Sequence, residues 1–485
     1  MARIVVLGAG ISGHTAALHL RRLLPREHEV VVASPNSKWN WIPSNIWVGV
    51  GRMTPTDVTF PLAPIYARQG IEFKQAKGVA IYPEGTAEDA RPCVELESTA
   101  TGSAGTRERL TYDFLINATG PKLNFGATPG LGPEGHSLSV CTAGHADEAA
   151  KAFAEVIRKL ERGERQVLVI GMGHGTCTCE GAAFEYTFNV EHELRMRGLR
   201  DKAEIVYLTN EAELGDFGVG GMWFDQQGFI TSSRMWTESL FRERAVTPIL
   251  GAHVQRVEPG LIRYETLDGS EHTLRFDFAM LLPPFRGADL KAFDRQGEDI
   301  TAKVFAPSGF MRVDATYDSK PYEQWLASDW PRTYETPAYR NVFAVGIAFA
   351  PPHQISRPRT SAKGTNITPS PPRTGMPSGV MGRTVAETIA DRLTKGDPSR
   401  THTASMAQMG AACIASAGAG LWSGTAAAMT MYPVVPDYQA YPQYGRELGD
   451  TYGEIGLAAH WIKHVLHHVF IYKAKARLGW ALLPE

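Results

Sequence analysis

Apolar and polar positions along the chain repeat one strand–turn–helix design twice. In "RIVVLGAGISGHTAALHLRRLL" an apolar run stops at Gly8, and Ala16, Ala17, Leu20 and Leu23 then recur at helical spacing. "HEVVVASPN" follows as a second strand at the distance a βαβ unit needs. "RQVLVIGMGHGTCTCEGAAFEYTFNVEHELRMRG" reads the same way, with "AEIVYLTNEAEL" (203–214) as its second strand. "YDFLINATGPKLNF" (112–125) and "YRNVFAVGIAFAPP" (339–352) predict further strands, the latter ending at Gly346, and 379–396 predicts an amphipathic helix. Residues 353–374 form a Pro/Ser/Thr-rich loop long enough to expect a function or mobility. From Thr401 to Pro436 there is no charged residue, yet hydrophobicity is low, so buried strands are preferred to a membrane span. In the tail, Leu457, Trp461, Ile462, Val465, Leu466, Val469 and Phe470 share one helical face, opposite His460, Lys463, His464, His467 and His468. An apolar face with Trp and a basic polar face predicts a helix lying on a bilayer, with a core-packing or dimer helix as the alternative.

Composition narrows the classes. A chain of 485 residues predicts two or three domains. Lys+Arg number 49 against 51 Asp+Glu, a balance that argues against a nucleic-acid binder. Five cysteines are too few, and odd in number, for a secreted disulfide framework. "MARIVVLGAG" enters a strand directly and reads as no signal peptide.

Gly8, Gly10 and Gly13 fit G-x-G-x-x-G between strand and helix, where glycines let the backbone approach a pyrophosphate and the helix N-terminus faces its charge. The acidic residue expected for the ribose after the second strand is missing; Ser34 and Asn36 are the candidates. The second loop has Gly171, Gly173 and Gly175 but Thr176 where a nicotinamide loop wants glycine, and thiols at Cys177 and Cys179 follow at once, so NADH binding is disfavoured. A closed zinc site would need two further ligands in a second motif, and none is present, so no metal is expected. Both thiols open a helix, whose dipole is expected to lower their pKa.

The pieces resemble flavoproteins with two dinucleotide-binding domains. That resemblance implies an α/β fold of two Rossmann-like domains: a discontinuous FAD domain at 1–145 and 300–390, a second at 150–300, and a C-terminal membrane-associating region at 391–485. It places Thr119 and Gly120 of the Ala-Thr-Gly strand, and Gly346 of the late strand, at the flavin, although Gly346 is followed by Ile347 where Asp is usual.

"VVLGAGISG", "WIPSNIWVGVG", "INATGPKL", "SVCTAGHADEA", "CEGAAFEY", "NVFAVGIA" and "PRTG", with the Cys413 region, are together similar to the sulfide:quinone oxidoreductase family. The resemblance implies three redox cysteines: Cys141, Cys179 and Cys413, the last two holding a sulfur bridge beside the flavin. It gives Glu185 and His145 proton handling, and Pro43, Ser44, Thr374 and Gly375 cofactor contacts. It implies sulfide oxidation to polysulfide or elemental sulfur, electrons passing through FAD to a membrane quinone, a bilayer surface as partner, and room for a homo-oligomer. Trp41, Ile42, Pro43, Tyr441 and Phe470 are candidates for the quinone path. Cys177 has no counterpart in the family, Cys93 lies outside every motif, and Asp216 replaces a loop histidine of some relatives. A cytochrome-reducing flavoprotein sulfide dehydrogenase and a type II NADH:quinone oxidoreductase are the alternatives.

Overall fold

The computed structural model describes residues 1–226, 228–373, 375–418, 422 and 424–485. Along the chain run β1 (Arg3–Leu7), α1 (Ile11–Leu23), β2 (Glu29–Ala33), β3 (Glu72–Lys74) and β4 (Phe114–Asn117). Then come α2 (Ala143–Glu161), β5 (Gln166–Met172), α3 (Glu180–Met196), β6 (Ala203–Leu208), β7 (Val246–Ile249) and β8 (Phe278–Leu282). The last part holds β9 (Val342–Ala344), α4 (Gly375–Thr394), β10 (Ala411–Ala417), β11 (Thr425–Met431), β12 (Gly453–Gly456) and α5 (Leu457–Ala474).

Two parallel sheets result. The first has the order β9-β4-β1-β2-β3, the second β7-β6-β5-β8. Their strands are continuous apolar runs because helices and loops cover both faces; Val5, Val31, Leu115, Val169 and Ile205 are all essentially unexposed. In each sheet the chain steps outward from its first strand and then returns to that strand's other side. The reversal opens a crevice at the carboxyl ends, where α/β sheets take their ligands. One crevice lies at Gly8 and Ala118, the other at Gly173 and Leu282.

The uncharged 401–436 segment forms strands, as its weak hydrophobicity predicts: its β10 and β11 make an antiparallel sheet with β12 from beyond it. Its small side chains let β10 lie directly on α3, while α5 packs on β11. The helix expected from 379 begins earlier, at Gly375. It runs beside α1 at a distance only glycine permits, since a Cβ on Gly382 would stand 2.3 Å from the Ser12 carbonyl oxygen.

The tail helix corrects one expectation. Most of its basic face turns inward: His460, Lys463 and His467 are buried against the protein, and His468 is exposed. Its apolar face points outward, with Ile462 44% and Val465 57% exposed. The same helix also packs on the core, with Phe470 stacked on Trp41 and α5 lying on β11, so the core-packing and dimer alternatives stand beside the bilayer reading.

Candidate active site

The first crevice fits a dinucleotide. Gly8 lies in the left-handed region (φ +100°), and a Cβ there would stand 2.2 Å from the Ala118 carbonyl oxygen. β1 and β4 therefore close on each other with no side chain between. Beyond them a Cβ on Gly10 would meet nothing within 4 Å. Gly10 caps α1 with no side-chain hydrogen bond and no acidic residue in the first turn, so orphan amide donors face open space. Gly346 closes on Ser12, and Gly375 opens α4 beside Ile11. Ser34 is buried just past β2, and Asn36 is exposed beside it. Thr119 donates from its N–H and hydroxyl to Asn117 Oδ1 (3.2 and 2.8 Å), and Gly120 (φ +69°) faces open space. Thr374 lies outside the described residues. These features fit the pyrophosphate and ribose of FAD.

The second crevice is filled by the chain itself. A Cβ on Gly173 would meet Leu131 at 2.5 Å, and one on Gly175 would meet the Asn366 carbonyl oxygen at 2.6 Å. The 353–374 loop, expected to carry a function or mobility, straps this turn: Thr368 N–H donates to Gly175 O (2.8 Å), and Ser370 N–H to Cys177 O (2.8 Å). Asn210 Nδ2 donates to Gly175 O and Cys177 O, both at 3.2 Å. A dinucleotide pyrophosphate would have to displace all of these, which gives the disfavoured NADH reading a steric cause.

The sulfur residues gather where α3 begins. Cys179 is the N-cap of α3 in a left-handed conformation (φ 73°), which turns the chain out of the glycine loop. Cys413 on β10 reaches the same turn; its Sγ lies 2.9 Å from where a Cβ on Gly181 would be. Only glycine leaves that sulfur its place. Cys141, just before α2, is close enough that its charge would add to the cost of ionising Cys179. Cys177 differs. It is fully buried, and its thiol donates to Leu282 O at 3.1 Å, pointing into the second sheet. Cys93 is buried in a separate sheet. All five cysteines are free.

The thiols are not acidified, contrary to expectation. Burial pushes Cys141 and Cys413 up to about 11 and Cys179 up to about 12, and holds Cys177 well above the ordinary range. A helix N-terminus is worth roughly 0.3–1 kcal/mol, less than one pKa unit, so desolvation wins. Two cations offset part of it. The charge of Arg373 favours the Cys179 thiolate, and that of Lys463 favours the Cys413 thiolate.

Glu185 and Lys463 tie the site together. Glu185 Oε1 accepts from Ser416 N–H and Oγ (3.1 and 2.8 Å), and its Oε2 pairs with Lys463 Nζ at 3.1 Å, both residues buried. Lys463 also donates to Pro43 O (3.3 Å) and Ile414 O (3.4 Å). Ser44 Oγ bonds His467 Nδ1 at 2.8 Å, so Pro43 and Ser44 engage the tail helix. His145 sits one turn into α2, edge-on to Phe125 at 5.8 Å, and burial lowers its pKa. Sequence reasoning singled out neither Lys463 nor Arg373. The first was hidden in a histidine-rich helix face, the second within "PRTG". Trp41 stacks on Phe470 at 4.9 Å with Ile42 exposed beside it, whereas Tyr441 belongs to the 437–445 turn.

Residues 2–208 match the pyridine nucleotide-disulphide oxidoreductase family. A sulfide-quinone reductase of Aquifex aeolicus (strain VF5) is 30% identical over 474 residues, covering 97% of this chain and 91% of the relative. This chain belongs to the sulfide:quinone oxidoreductase family. The X-ray structure of the sulfide:quinone oxidoreductase from the hyperthermophilic bacterium Aquifex aeolicus matches with a TM-score of 0.75 and 27% identity, over 98% of this chain and 92% of that one. NDH2 from Plasmodium falciparum, in complex with NADH, matches over 98% and 96% of the two chains with a TM-score of 0.62 and 13% identity, a likeness of fold alone. The α/β class with two Rossmann-type sheets, and the family read from the motifs, are therefore what the chain has.

Proposed function

We propose that this chain oxidises sulfide at Cys179 and Cys413, with Cys141 beside them, and delivers the electrons to a quinone. The enzyme is an FAD-dependent oxidoreductase of the sulfide:quinone type. The observation that carries the site assignment is the meeting of Cys413 with the first turn of α3, next to Cys179, from a strand far along the chain. The flavin domain is assigned to 1–145 and 300–390, with Gly8, Gly10, Gly13, Ser34, Thr119, Gly120, Gly346 and Gly375 around the cofactor.

In the sulfur-bridged state hydrosulfide acts as a small thiolate. Its sulfur bonds to one cysteine sulfur, the bridge bond breaks, and the other cysteine leaves as thiolate. Arg373 and Lys463 lower the cost of that thiolate on either side. FAD, when bound, supplies the two-electron carrier between sulfur and quinone. Further hydrosulfide lengthens the retained sulfur until it leaves as polysulfide or elemental sulfur. Anaerobic sulfide is expected to bleach the visible flavin absorbance completely, and NADH is expected to leave it unchanged. Bleaching by NADH alone would assign the chain to the NADH:quinone reading.

The outward face of α5 is read as the contact with a lipid surface. Trp422 is 75% exposed and meets Trp461 edge-to-face at 5.5 Å, and Ile462, Val465, Leu478 and Leu482 are exposed as well. Among the described residues no helix is long and apolar enough to cross a membrane. An apolar face with interfacial Trp suits a helix lying in the headgroup boundary, where a quinone would reach the Trp41–Phe470 stack. A Trp461→Asp/Ile462→Asp double variant is expected to co-sediment with phospholipid vesicles at least ~10-fold less than the wild type. Unchanged co-sedimentation, or a solution dimer that the variant dissociates, would assign the face to something other than lipid.

A further inference from the structure

Glu180 follows Cys179 directly and has no exposed surface, yet neither carboxylate oxygen has a well-formed hydrogen bond, its own N–H and Asn210 being the polar groups beside it. Asn210 stands nearby, but its amide is committed to Gly175 O and Cys177 O. A buried carboxyl left unpartnered costs a folded protein roughly 1–3 kcal/mol or more, so a structural role does not account for it. Two further carboxyls continue from it. Tyr207 Oη donates to the Glu180 carbonyl and to Glu211 Oε2, both at 3.3 Å. Glu211 is also buried, accepting from Thr209 Oγ1 (2.9 Å) and Phe217 N–H (2.9 Å). Asp216, in the same turn, accepts from Gly218 N–H (3.0 Å) and from Ser356 Oγ, and it lines an open cavity of about 620 Å³ with Glu213, Arg234, Tyr322 and Arg357. The loop holding these groups presses on Glu180: a Cβ on Gly218 would stand 3.3 Å from Glu180 Oε2.

We propose that Glu180, Glu211 and Asp216 form the proton outlet of the sulfur site, Glu180 taking the proton of the incoming hydrosulfide beside Cys179. The proposal rests on the sulfide-oxidising reading above. Its balance is simple. Hydrosulfide becomes enzyme-bound sulfur at zero oxidation state, two electrons leave to quinone, and one proton must leave the buried site. When the new sulfur–sulfur bond forms, the persulfide S–H gives that proton to Glu180 while the proton already on Glu180 moves to Glu211. One proton passes from Glu211 to Asp216 and one from Asp216 to the cavity, so each carboxyl ends the step as it began.

The charges around the cluster favour such a chain. The facing groups are the thiols of Cys177 and Cys179, the Tyr207 hydroxyl and one buried cation, Arg446, whose guanidinium bonds the carbonyls of Val219, Gly221, Pro433 and Val434. One cation cannot support three carboxylates in a buried site, so protons stay on the cluster. Burial holds Glu180 well above the carboxylate range, puts Glu211 at about 7 and raises Asp216 although Ser356 and Gly218 donate to it, so protons are retained on the cluster until solvent at the cavity takes one from Asp216.

Sulfide-driven flavin reduction in FAD-loaded protein, followed by stopped flow without quinone across pH, tests this. Glu180→Gln and, separately, Asp216→Asn are expected to slow it at least ~10-fold, to move the pH profile and to change the solvent isotope effect, with Glu180→Asp restoring part of the rate and the profile. Glu180→Gln within twofold of the wild type at every pH would overturn the outlet while leaving the enzyme reading intact. So would equal loss in Glu180→Gln and Glu180→Asp with an unmoved profile, which marks a structural role. A wild type whose flavin sulfide does not reduce overturns the enzyme reading and the outlet together.

Discussion

Cys179→Ala is expected to abolish sulfide-dependent reduction of decylubiquinone, lowering kcat/KM by at least ~10³-fold. Cys413→Ala should do the same, and the double variant should lose little more, because a sulfur bridge acts as a unit once either anchor is gone. Cys177→Ala is the discriminating companion. Its thiol points away, to Leu282 O, in the core of the second sheet. Its removal should cost stability on the scale of a small buried side chain, about 1 kcal/mol, and leave turnover within about twofold, far from the loss expected of an anchor. Quinone reduction rates and thermal melts on the four proteins decide the matter. Full activity without Cys179 and Cys413, or loss on removing Cys177, would reassign the bridge.

Lys463→Met is expected to give the largest loss of stability among single changes at the site. Glu185 is buried, and Lys463 is the cation paired with it, so the variant leaves a carboxylate without its counter-charge in a dry environment. Breaking a buried pair from one side costs about 3–5 kcal/mol. Adding Glu185→Gln should recover most of that, since a neutral amide still accepts from Ser416 and needs no cation. The cycle is read from thermal melts, and equal instability in the single and double variants would show that the pair is not coupled. The experiment also probes architecture. Lys463 is the point at which the tail helix holds both Pro43 and the Cys413 strand, so loosening it should weaken vesicle binding and sulfide turnover together.

The glycine loops and the cysteines were legible in the sequence because they are local. Gly8 and Gly13 must be glycine to let strand and helix close, and that need leaves a spaced signature. The missing glycine at Thr176 likewise announced that the second loop had changed use. What filled that loop was not legible: Thr368 and Ser370 come from a segment whose length and composition suggested a function or mobility without saying where it lies, and only folding lays it across Gly175 and Cys177. The thiols were misjudged for a related reason. A helix start can be read from sequence, but burial cannot, and burial is the larger effect at Cys179.

The tail shows the same division. Periodicity separated an apolar from a basic face correctly, but hydrophobic pattern gives faces and not directions. The rule that polar faces meet water points His460, Lys463 and His467 outward, whereas Glu185 and Ser44, supplied by two remote segments, draw Lys463 and His467 inward. By itself the sequence determined the two α/β units, the dinucleotide turn and the family, since each is written in contiguous spacing. Only the tertiary structure decided that Cys413 meets the first turn of α3, that the second crevice is closed, that the tail turns Ile462 and Val465 outward, and that Glu180 stands buried without a well-formed hydrogen bond. Each of those depends on which distant segment comes to lie against it, and long-range packing leaves no period in the chain.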